Sequence, residues 1–400
     1  MSLLQVGVLL SVIALWAGVA FVWLECRRKN MHLWLGAYLS RRRPPPTNGP
    51  VHVMFSFVDH FEPQWGHPPY DVEVQRVNRW RHGYKVLAGR HRDADGVHPQ
   101  HTFFYPEEEY RPEHLDQIAA LCREGFGEIE VHLHHDNDTD AGLREKITRF
   151  VKVLHERHGA LPVDPATGQP GFGFIHGNWA LDNSRRDGRW CGVNNELRIL
   201  GELGCYADFT QPSAPSDTQT RKINSIYYAT DDCDRPKSHN DGVSVCAGRQ
   251  GSGDLLILQG PLALNWKNRR WGLMPRIENA DVRAGYPPTR DRVDLWVKQH
   301  IHVLGRVDWI FIKVHTHGTQ DRDIDALLSE PVDAMFSYLE SKYNDGKNYV
   351  LHYVNSREMF NIVKAAEAGL SGNPNAYRDH RLPKPPMFAP TASPADAQQD

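Results

Sequence analysis

The chain has 400 residues, 40% of them hydrophobic and 10% aromatic, which is enough to bury a sizeable core. Its 46 basic and 49 acidic residues leave a formal charge of −3, so it lacks the basic excess of a nucleic-acid binder. Its 6 cysteines show no CxxC spacing, which argues against zinc-ribbon and thioredoxin-like folds. Histidine is unusually frequent, at 22 residues, and it is the commonest metal ligand and proton carrier.

The N-terminus carries an apolar stretch over residues 3–24, interrupted only by Gln5 and Ser11. As a helix this stretch is about 33 Å long, enough to cross a hydrocarbon core of about 30 Å. A cleaved signal peptide is the alternative, but no basic region precedes the stretch and no small-x-small cleavage site follows it. We therefore predict an uncleaved transmembrane anchor over 1–25.

A basic, proline-rich juxtamembrane segment follows over 26–50. No Lys or Arg precedes the span, whereas basic residues fill 27–29 and 41–43. The positive-inside rule then predicts a single-pass protein of the inner (cell) membrane with its catalytic domain in the cytoplasm. Between the basic clusters, residues 31–40 are expected either to lie in the membrane interface, through Trp34 and its apolar neighbours, or to form a plain linker.

From 51 to 369 short apolar strands alternate with helical periodicity, the pattern of a β/α fold with a mainly parallel sheet. We predict strands at 51–59, 101–105, 128–135, 172–178, 207–210, 309–317 and 349–355. We predict helices at 112–124, 140–158, 193–202, 290–304, 331–344 and 356–368. Residues 220–288 break this rhythm with Gly, Asp, Asn and Pro clusters, which indicates a β-rich insertion. The tail over 370–400 has little to bury and is predicted to be disordered.

Alternation along two strands predicts where their histidines point, since successive side chains face opposite sides of a sheet. In 128–135 the odd-numbered positions are apolar and suit packing under helices, so His132 and His134 are expected to face the interior. The same split in the strand near the C-terminus places His315 and His317 on the inner face.

Two more strands end in polar residues. We expect His176 on the inner face of strand 172–178, and the first strand ends in Asp59-His60. In barrels the C-terminal ends of the strands hold the active site. A carboxylate and two imidazoles suit zinc or another late first-row divalent ion. Such an ion lowers the pKa of bound water and polarises a carbonyl group, so the cluster predicts a metal-dependent hydrolase.

Three segments follow the motif order of a known family. Residues 56–60 stand where that family has T-F-D-D-G, residues 134–138 where it has H-x-x-x-H, and residues 312–317 where it has L-x-x-H. By these segments the chain resembles, as a divergent member, the polysaccharide deacetylase (NodB-homology, carbohydrate esterase family 4-like) superfamily. The resemblance covers roughly 50–365 and implies an α/β fold with a distorted (β/α)7-type barrel.

The resemblance also implies roles for individual residues. Together with strand alternation, it assigns as metal ligands Asp59, His134, Asp138 and His132. It implies that His317 or His315 is the catalytic acid.

Val58 stands where the family has its general base, so the base is expected elsewhere. A base must lie within hydrogen-bond reach of the attacking water. The candidates nearest in sequence are His60, Asp136 and His135, and the nearest by strand face is His176.

Aromatic side chains flank these segments, and sugar rings stack their C–H faces on such side chains. The flanking tryptophans are Trp65, Trp179, Trp266 and Trp271. We expect Trp65 and Trp179 to contact the substrate, with His176 and Asp182 as polar contacts.

These features together predict a membrane-anchored hydrolase with a divalent metal ion, zinc above others, that removes an N- or O-acyl group from a carbohydrate. Exopolysaccharide or envelope glycan biosynthesis is the expected setting, with a polysaccharide synthesis complex as a partner and a polysaccharide or lipid-linked sugar as the substrate. Two alternatives stay open. One is a glycoside hydrolase that uses two carboxylates of the same barrel, and the carboxylates available at strand ends are Asp59, Glu62, Asp136, Asp138 and Asp182. The other is a non-catalytic carbohydrate-binding or scaffold barrel.

Overall fold

The computed structural model describes residues 2–42 and 44–389. Its α-helices are α1 (Leu3–Arg28), α2 (Leu35–Leu39), α3 (Tyr70–Ala88), α4 (Pro112–Leu121), α5 (Asp140–Glu156), α6 (Glu196–Glu202), α7 (Arg290–Lys298), α8 (Asp321–Leu327), α9 (Glu330–Lys342) and α10 (Ser356–Glu367). Its strands are β1 (Val51–His60), β2 (His101–Pro106), β3 (Gly127–Leu133), β4 (Phe172–His176), β5 (Cys205–Asp208), β6 (Ile226–Ala229), β7 (Val243–Ser244), β8 (Leu255–Leu258), β9 (Ala263–Arg270), β10 (Met274–Glu278), β11 (Trp309–Thr316) and β12 (Tyr349–Tyr353).

One large sheet organises the molecule, in the order β11-β1-β2-β3-β4-β5-β8-β6-β7, with β12 also paired to β1. All pairings are parallel except those that β6 makes with β7 and β8. The predicted mixed α/β fold with a mainly parallel sheet is therefore confirmed. Within the described residues no strand ladder joins β11 to β7, so the sheet is not closed into a barrel.

The two faces of the sheet have different coverings. The outer face, which includes Phe55 and Phe57 of β1, packs against apolar residues of α3 to α9. The inner face includes Met54 and Val58 and packs against α10, whose Ile362 and Val363 are fully buried. Because α10 starts beside the first residues of β2 and β3, it fills the inner face at the N-terminal ends of the strands. The C-terminal strand ends are left free to carry a site.

Helix α1 has 26 residues, none of them buried, and is long and apolar enough to cross a membrane. A signal sequence near the N-terminus can meet the same criteria of length and hydropathy. The helix by itself gives no sidedness.

The segment after α1 packs on the folded domain. Trp34 is fully buried in a cluster with Ala214, Leu262 and Leu264, and the Asn30 side chain donates a hydrogen bond to the Pro215 carbonyl at 3.0 Å. The segment therefore differs from both expectations, since Trp34 lies in a protein core rather than in an interface or a loose linker.

The chain beyond α10 also differs from its prediction. Residues 370–389 are not free of structure, because Leu382 is buried and its N–H donates to the Asn361 side chain at 2.8 Å. Arg378 donates to the Glu358 carboxylate at 2.9 Å. The predicted disorder of 390–400 lies outside the described residues, as do Met1 and Arg43 of the predicted anchor and basic segment.

Candidate metal centres and active-site cleft

A cavity of about 520 Å³ opens at the C-terminal ends of the strands. The lining residues that bear on its chemistry are His60, Glu62, Trp65, Glu109, His134, Trp179 and His317. They come from the end of β1 and the loop after it, from the loops after β2, β3 and β4, and from the residue that follows β11. Residues far apart in the chain meet here because parallel strands end at the same edge of a sheet.

Three buried side chains at this cavity bring ligand atoms together. One atom each from His60, Glu62 and His132 lies within 4.8 Å of the other two. His132 Nε2 is 3.2 Å from Glu62 Oε1, and His60 Nδ1 is 4.0 Å from the same oxygen. His60 Nδ1 has no hydrogen-bond partner although it is buried. We call this set the inner cluster.

The position of the ring proton on His132 is compatible with a cation in the inner cluster. His132 Nδ1 lies 2.7 Å from the Ile175 carbonyl, which only accepts, so this nitrogen carries the ring proton. In the neutral ring Nε2 then faces the Glu62 carboxylate with a lone pair, and in the doubly protonated ring it donates a hydrogen bond to that carboxylate. A metal-binding histidine has this arrangement, with its far N–H held by an oxygen. The orphaned His60 nitrogen is a further ligand atom for a divalent ion.

Two more histidines stand at the mouth of the inner cluster. His134 Nδ1 is 2.5 Å from Glu108 Oε1, and His134 Nε2 is 3.6 Å from Glu62 Oε1. Burial would lower the pKa of His134, but the hydrogen bond to Glu108 raises it above its ordinary value. The His317 ring stacks on His60 with centroids 4.5 Å apart. Both rings are placed to move protons at the cavity.

Glu62 and Glu109 share the cavity but have opposite pKa shifts. Burial would raise the pKa of Glu62, but the hydrogen bond from His132 lowers it below its ordinary value. Burial raises the pKa of Glu109 to about 8. At neutral pH one carboxyl group is charged and the other holds a proton, a division that suits acid and base roles.

A second group of ligand-type side chains lies nearby, and we call it the outer cluster. Its members are His135, His176, Cys191 and Glu196, all buried, with one ligand atom from each within 4.8 Å of the others. His135 Nε2 lies 2.8 Å from His176 Nε2, and Glu196 Oε1 lies 3.2 Å from the first and 3.5 Å from the second. This donor set is compatible with a metal ion.

A third group, Asp93, Asp95 and His352, already holds a positive charge. Arg378 Nη2 lies 3.2 Å from Asp93 and 3.7 Å from Asp95. The guanidinium supplies the positive charge beside these two carboxylates, so we interpret this group as an ion-pair network.

Asp59, the predicted first ligand, is placed away from His134. Its buried carboxylate accepts hydrogen bonds from His101 Nε2 at 3.0 Å and from the Gly318 N–H at 2.6 Å. The reason is strand alternation, since Asp59 follows Phe57 on the outer face and His60 takes the inner one. The structure thus corrects the predicted set, because the inner cluster contains His132 and has His134 beside it but does not include Asp59.

Asp138 and His176 also lie on the outer side. Asp138 Oδ2 accepts hydrogen bonds from His135 Nδ1 at 3.0 Å and from Lys146 at 2.6 Å, so it orients His135 and does not reach the inner cluster. His176 follows Phe174, which packs on the outer face, and this overturns its expected inner position. In neither case does the residue line the cavity.

Of the other predicted catalytic and substrate-binding residues, some line the cavity and some do not. Trp65, Trp179 and His317 line the cavity. His315 is buried behind it, with its ring centroid 6.5 Å from that of His60. Neither of the two remaining candidates, Asp136 and Asp182, lines the cavity.

The carboxylates of both aspartates accept hydrogen bonds from backbone N–H groups. Asp136 accepts from the Trp190 N–H at 2.6 Å and Asp182 from the Ser238 N–H at 2.5 Å. Burial raises the pKa of Asp182 to about 8. The two tryptophans of the insertion also differ from expectation, since Trp266 and Trp271 are exposed on the β9–β10 hairpin and do not line the cavity.

Glu109, Cys191 and Glu196 were not predicted for any role. Glu62 was expected only as a carboxylate of the glycoside-hydrolase alternative, although it follows His60 by two positions and continues the inner face beyond β1. The other three lie in loops or at a helix start, where no periodicity marks them.

No protein-family model matches the chain, and no curated protein matches it significantly.

Proposed function

We propose that this protein is a metal-dependent hydrolase that removes acyl groups from a carbohydrate, with its catalytic ion held by His60, Glu62 and His132. The observation that carries the proposal is the convergence of three buried ligand atoms beneath an open cavity. Nitrogen and carboxylate ligands suit zinc. An ion bound there would lower the pKa of its water and polarise a substrate carbonyl.

The residues around the cluster supply the remaining parts of acyl transfer. Glu109 holds a proton at neutral pH and can give it to the leaving sugar oxygen or nitrogen. His134, whose pKa is raised by Glu108, can carry a proton at the same mouth. His134 therefore stands in for the general base that is missing because of Val58. Glu109 is the leading candidate for the general acid.

The lining of the cavity suits a sugar. Trp65 and Trp179 offer faces for stacking on sugar C–H groups. Gln64, Asn178 and Gln320 line the same cavity, and their amides both donate and accept hydrogen bonds, as hydroxyl groups require.

We keep the relation to the polysaccharide deacetylase superfamily as part of this proposal. In support, histidines follow the ends of three strands of a mainly parallel sheet. Two hydrogen bonds also continue around the gap in the sheet, from Phe311 N–H to the Ile301 carbonyl at 2.8 Å and from Leu304 N–H to the Val245 carbonyl at 3.0 Å. These bonds favour an interrupted barrel over an open sheet.

The membrane setting is proposed on α1 and its flanks. Basic residues over 27–29 favour the cytoplasmic side for the domain, where the substrate is a lipid-linked or nucleotide-linked precursor of an exopolysaccharide or envelope glycan. A C-terminal alkaline phosphatase fusion tests this orientation. High phosphatase activity would place the domain outside the cytoplasm, where nascent polymer is the substrate.

Acetate release from N- and O-acetylated oligosaccharides, measured with the full chain in detergent, tests the reaction. We expect a strong chelator to abolish release and added zinc to restore it. Glu62→Gln should abolish release, while Glu145→Gln, at a carboxylate that is 76% exposed, should leave it unchanged. Release that persists under chelation would contradict the proposal.

A specific observation favours glycosidic bond cleavage as the second candidate. Glu62 and Glu109 form a charged and a protonated carboxyl group in one cavity, as a glycosidase requires. That reaction needs no metal. New reducing ends from an oligosaccharide, formed equally with and without chelator, would establish it and displace the first candidate.

A further inference from the structure

The outer cluster is enclosed, unlike the inner one. Its four side chains come from the loop after β3, the end of β4, the following loop and the start of α6, and all are buried. None of them lines the cavity that reaches the inner cluster. Four ligands without an open position are typical of a structural metal site, whereas a catalytic site keeps one position open.

The ring protons of the two histidines are already committed on their far sides. His135 Nδ1 faces the Asp138 carboxylate at 3.0 Å, and His176 Nδ1 faces the Gly177 carbonyl at 2.5 Å. Both partners only accept, so each ring donates there. In the neutral rings the two Nε2 atoms then face each other at 2.8 Å as lone pairs, with the Glu196 carboxylate beside them. With both rings neutral, three electron-rich atoms converge here, and either a cation or a second proton on His135 must lie between them.

Cys191 adds a fourth electron-rich atom. Its Sγ accepts hydrogen bonds from the N–H groups of Asn183 at 3.3 Å and Val193 at 3.5 Å. It lies 3.4 Å from Glu196 Oε2. Burial and the Glu196 carboxylate raise the pKa of the Cys191 thiol, while the two backbone donors lower it, so the thiolate that binds a metal would need the charge of the ion itself.

We propose that His135, His176, Cys191 and Glu196 bind a second, structural metal ion with the preferences of Zn²⁺. Nitrogen, sulfur and oxygen donors in a buried group of four match a tetrahedral zinc site, and Asp138 and the Gly177 carbonyl provide the outer hydrogen bonds that such histidines have. Neighbouring ligand atoms around zinc stand about 3.3 Å apart, so the two rings need to separate by about half an ångström.

The ion fastens a strained loop to the sheet. Between β4 and α6 five residues other than glycine have left-handed φ angles, which are Asn178, Trp179, Asp182, Asn183 and Trp190. Such conformations persist only where the surroundings hold them. The same loop carries Trp179 into the cavity, and His134 precedes His135. The outer ion therefore positions Trp179 and His134 without contacting the substrate.

Cobalt substitution tests this site separately from the inner cluster, which has no sulfur ligand. We expect the full chain, loaded with Co²⁺ in detergent, to show a thiolate-to-cobalt charge-transfer band in the near ultraviolet. Cys191→Ser should remove the band, while Glu62→Gln should keep it. Cys205→Ser is the matched control, since Cys205 is also buried but, among the described residues, its Sγ makes a hydrogen bond only to the Ala207 carbonyl, at 3.4 Å. A wild type without the band, or a band that survives Cys191→Ser, would overturn the proposal.

Zinc content and thermal unfolding provide a second readout. Cys191→Ser should lose one zinc equivalent per chain, and excess zinc should raise its unfolding midpoint less than it raises that of the wild type. Equal zinc content in the two proteins would show that the pair of histidines shares a proton instead of an ion. Loss of activity on Glu62→Gln bears on the inner cluster alone, so the two proposals fail separately.

A second and independent feature is the β9–β10 hairpin. Its Trp266, Trp271 and Leu273 are 53%, 65% and 78% exposed. Basic residues of β9 stand among them, at Lys267, Arg269 and Arg270. Exposed tryptophan beside Lys and Arg is typical of a segment at a membrane interface.

The hairpin contacts α1, and this contact sets the depth of the hairpin relative to the membrane. The Trp271 ring is 6.0 Å from the ring of Phe21. Phe21 precedes Leu24, the last apolar residue of the span, by three positions, which is about 4.5 Å along a helix. We propose that the hairpin tip enters the same bilayer leaflet, with Trp271 and Leu273 in the interface and Arg269 and Arg270 on lipid phosphates, while Lys267 pairs with Asp291 at 2.5 Å. This rests on the proposal that α1 spans the membrane.

Spin labels on the full chain in anionic lipid vesicles test the hairpin. In a background with Cys26, Cys233 and Cys246 changed to Ser, a label at Leu273→Cys should be reached by oxygen and shielded from an aqueous nickel chelate. Val86→Cys, whose parent side chain is 68% exposed on α3, is the aqueous control. Leu10→Cys reports separately on whether α1 spans. Equal nickel accessibility at positions 273 and 86 would overturn the proposal.

Discussion

His134 and His135 are neighbours in the chain, yet their imidazoles join two different clusters. His134 Nε2 lies 3.6 Å from Glu62 at the cavity, and His135 Nε2 lies 2.8 Å from His176 on the other side of the sheet. Two residues just past the end of β3 therefore tie the catalytic cleft to the enclosed cluster, and displacement of one ring moves the backbone of the other.

The contrast between Asp59 and Glu62 gives the first prediction. Asp59→Asn should lower stability by about 1–3 kcal/mol, because the buried His101 and the Gly318 N–H lose a charged acceptor. It should leave the metal content unchanged. Glu62→Gln should instead remove one metal equivalent and leave the unfolding midpoint of the metal-free protein nearly unaltered. Metal analysis and chemical unfolding of the two variants separate these effects, and metal loss from Asp59→Asn alone would reverse the assignment.

The pKa of Glu109, which burial raises to about 8, sets the alkaline limb of the pH profile of kcat/KM. A protonated acid is required for leaving-group departure, so kcat/KM should fall above about pH 8 as Glu109 loses its proton. Glu109→Gln should reduce the rate about 100-fold or more and flatten this limb. Initial rates between pH 6 and pH 10 provide the measurement; an unchanged alkaline limb in the variant assigns it to another group.

The same group has a stability consequence with a definite sign. The folded protein holds the Glu109 proton to a higher pH than the unfolded chain does, so unfolding releases a proton between their pKa values. The contribution of Glu109 to the free energy of unfolding is largest below the unfolded pKa near 4.5 and is lost as the pH rises to about 8. In denaturant titrations, Glu109→Gln should therefore gain stability relative to the wild type at pH 9 but not at pH 4. A constant difference across this range would contradict the shift.

Strand alternation explains both the successes and the errors of the sequence prediction. It placed His132, His134 and His317 on the inner face, because β3 has apolar residues on one face only and the outer face of β11 is wholly apolar while its inner face carries Lys313 and His315. Applied to Phe55 and Phe57 of β1, the same rule places Asp59 on the outer face, so that error was avoidable.

Other features had no comparable signal. The helix α3 was not predicted, although Val77, Trp80 and Tyr84 form a buried stripe, because charged residues surround that stripe. Cys191 and Glu196 reach the outer cluster through the path of a loop, which depends on long-range packing and not on local periodicity. A position of that kind requires the folded structure.

A buried ion pair at the N-terminal ends of the strands yields a stability prediction. Arg357 of α10 donates to Glu128 of β3 at 2.8 Å, and both side chains are almost fully buried. Arg357→Met should destabilise the protein by about 3–5 kcal/mol, since Glu128 is left charged without a partner. Arg221→Met, at an exposed pair with Asp241, should cost about 1 kcal/mol or less. Denaturant midpoints of the two variants measure the difference, and similar midpoints would contradict a structural role for the buried pair.

Gly177 joins the two clusters sterically. A Cβ atom at this position would overlap the ring of His134 and lie 2.7 Å from the Leu133 carbonyl oxygen. Gly177→Ala should therefore push His134 away from Glu62 and reduce turnover, while the backbone between the clusters shifts. Gly285→Ala is the control, because a Cβ there meets nothing within 4 Å. Both kcat and the cobalt–thiolate band should change in the first variant and stay unaltered in the second. A Gly177→Ala protein with normal turnover would mean that the position of His134 does not matter to the reaction.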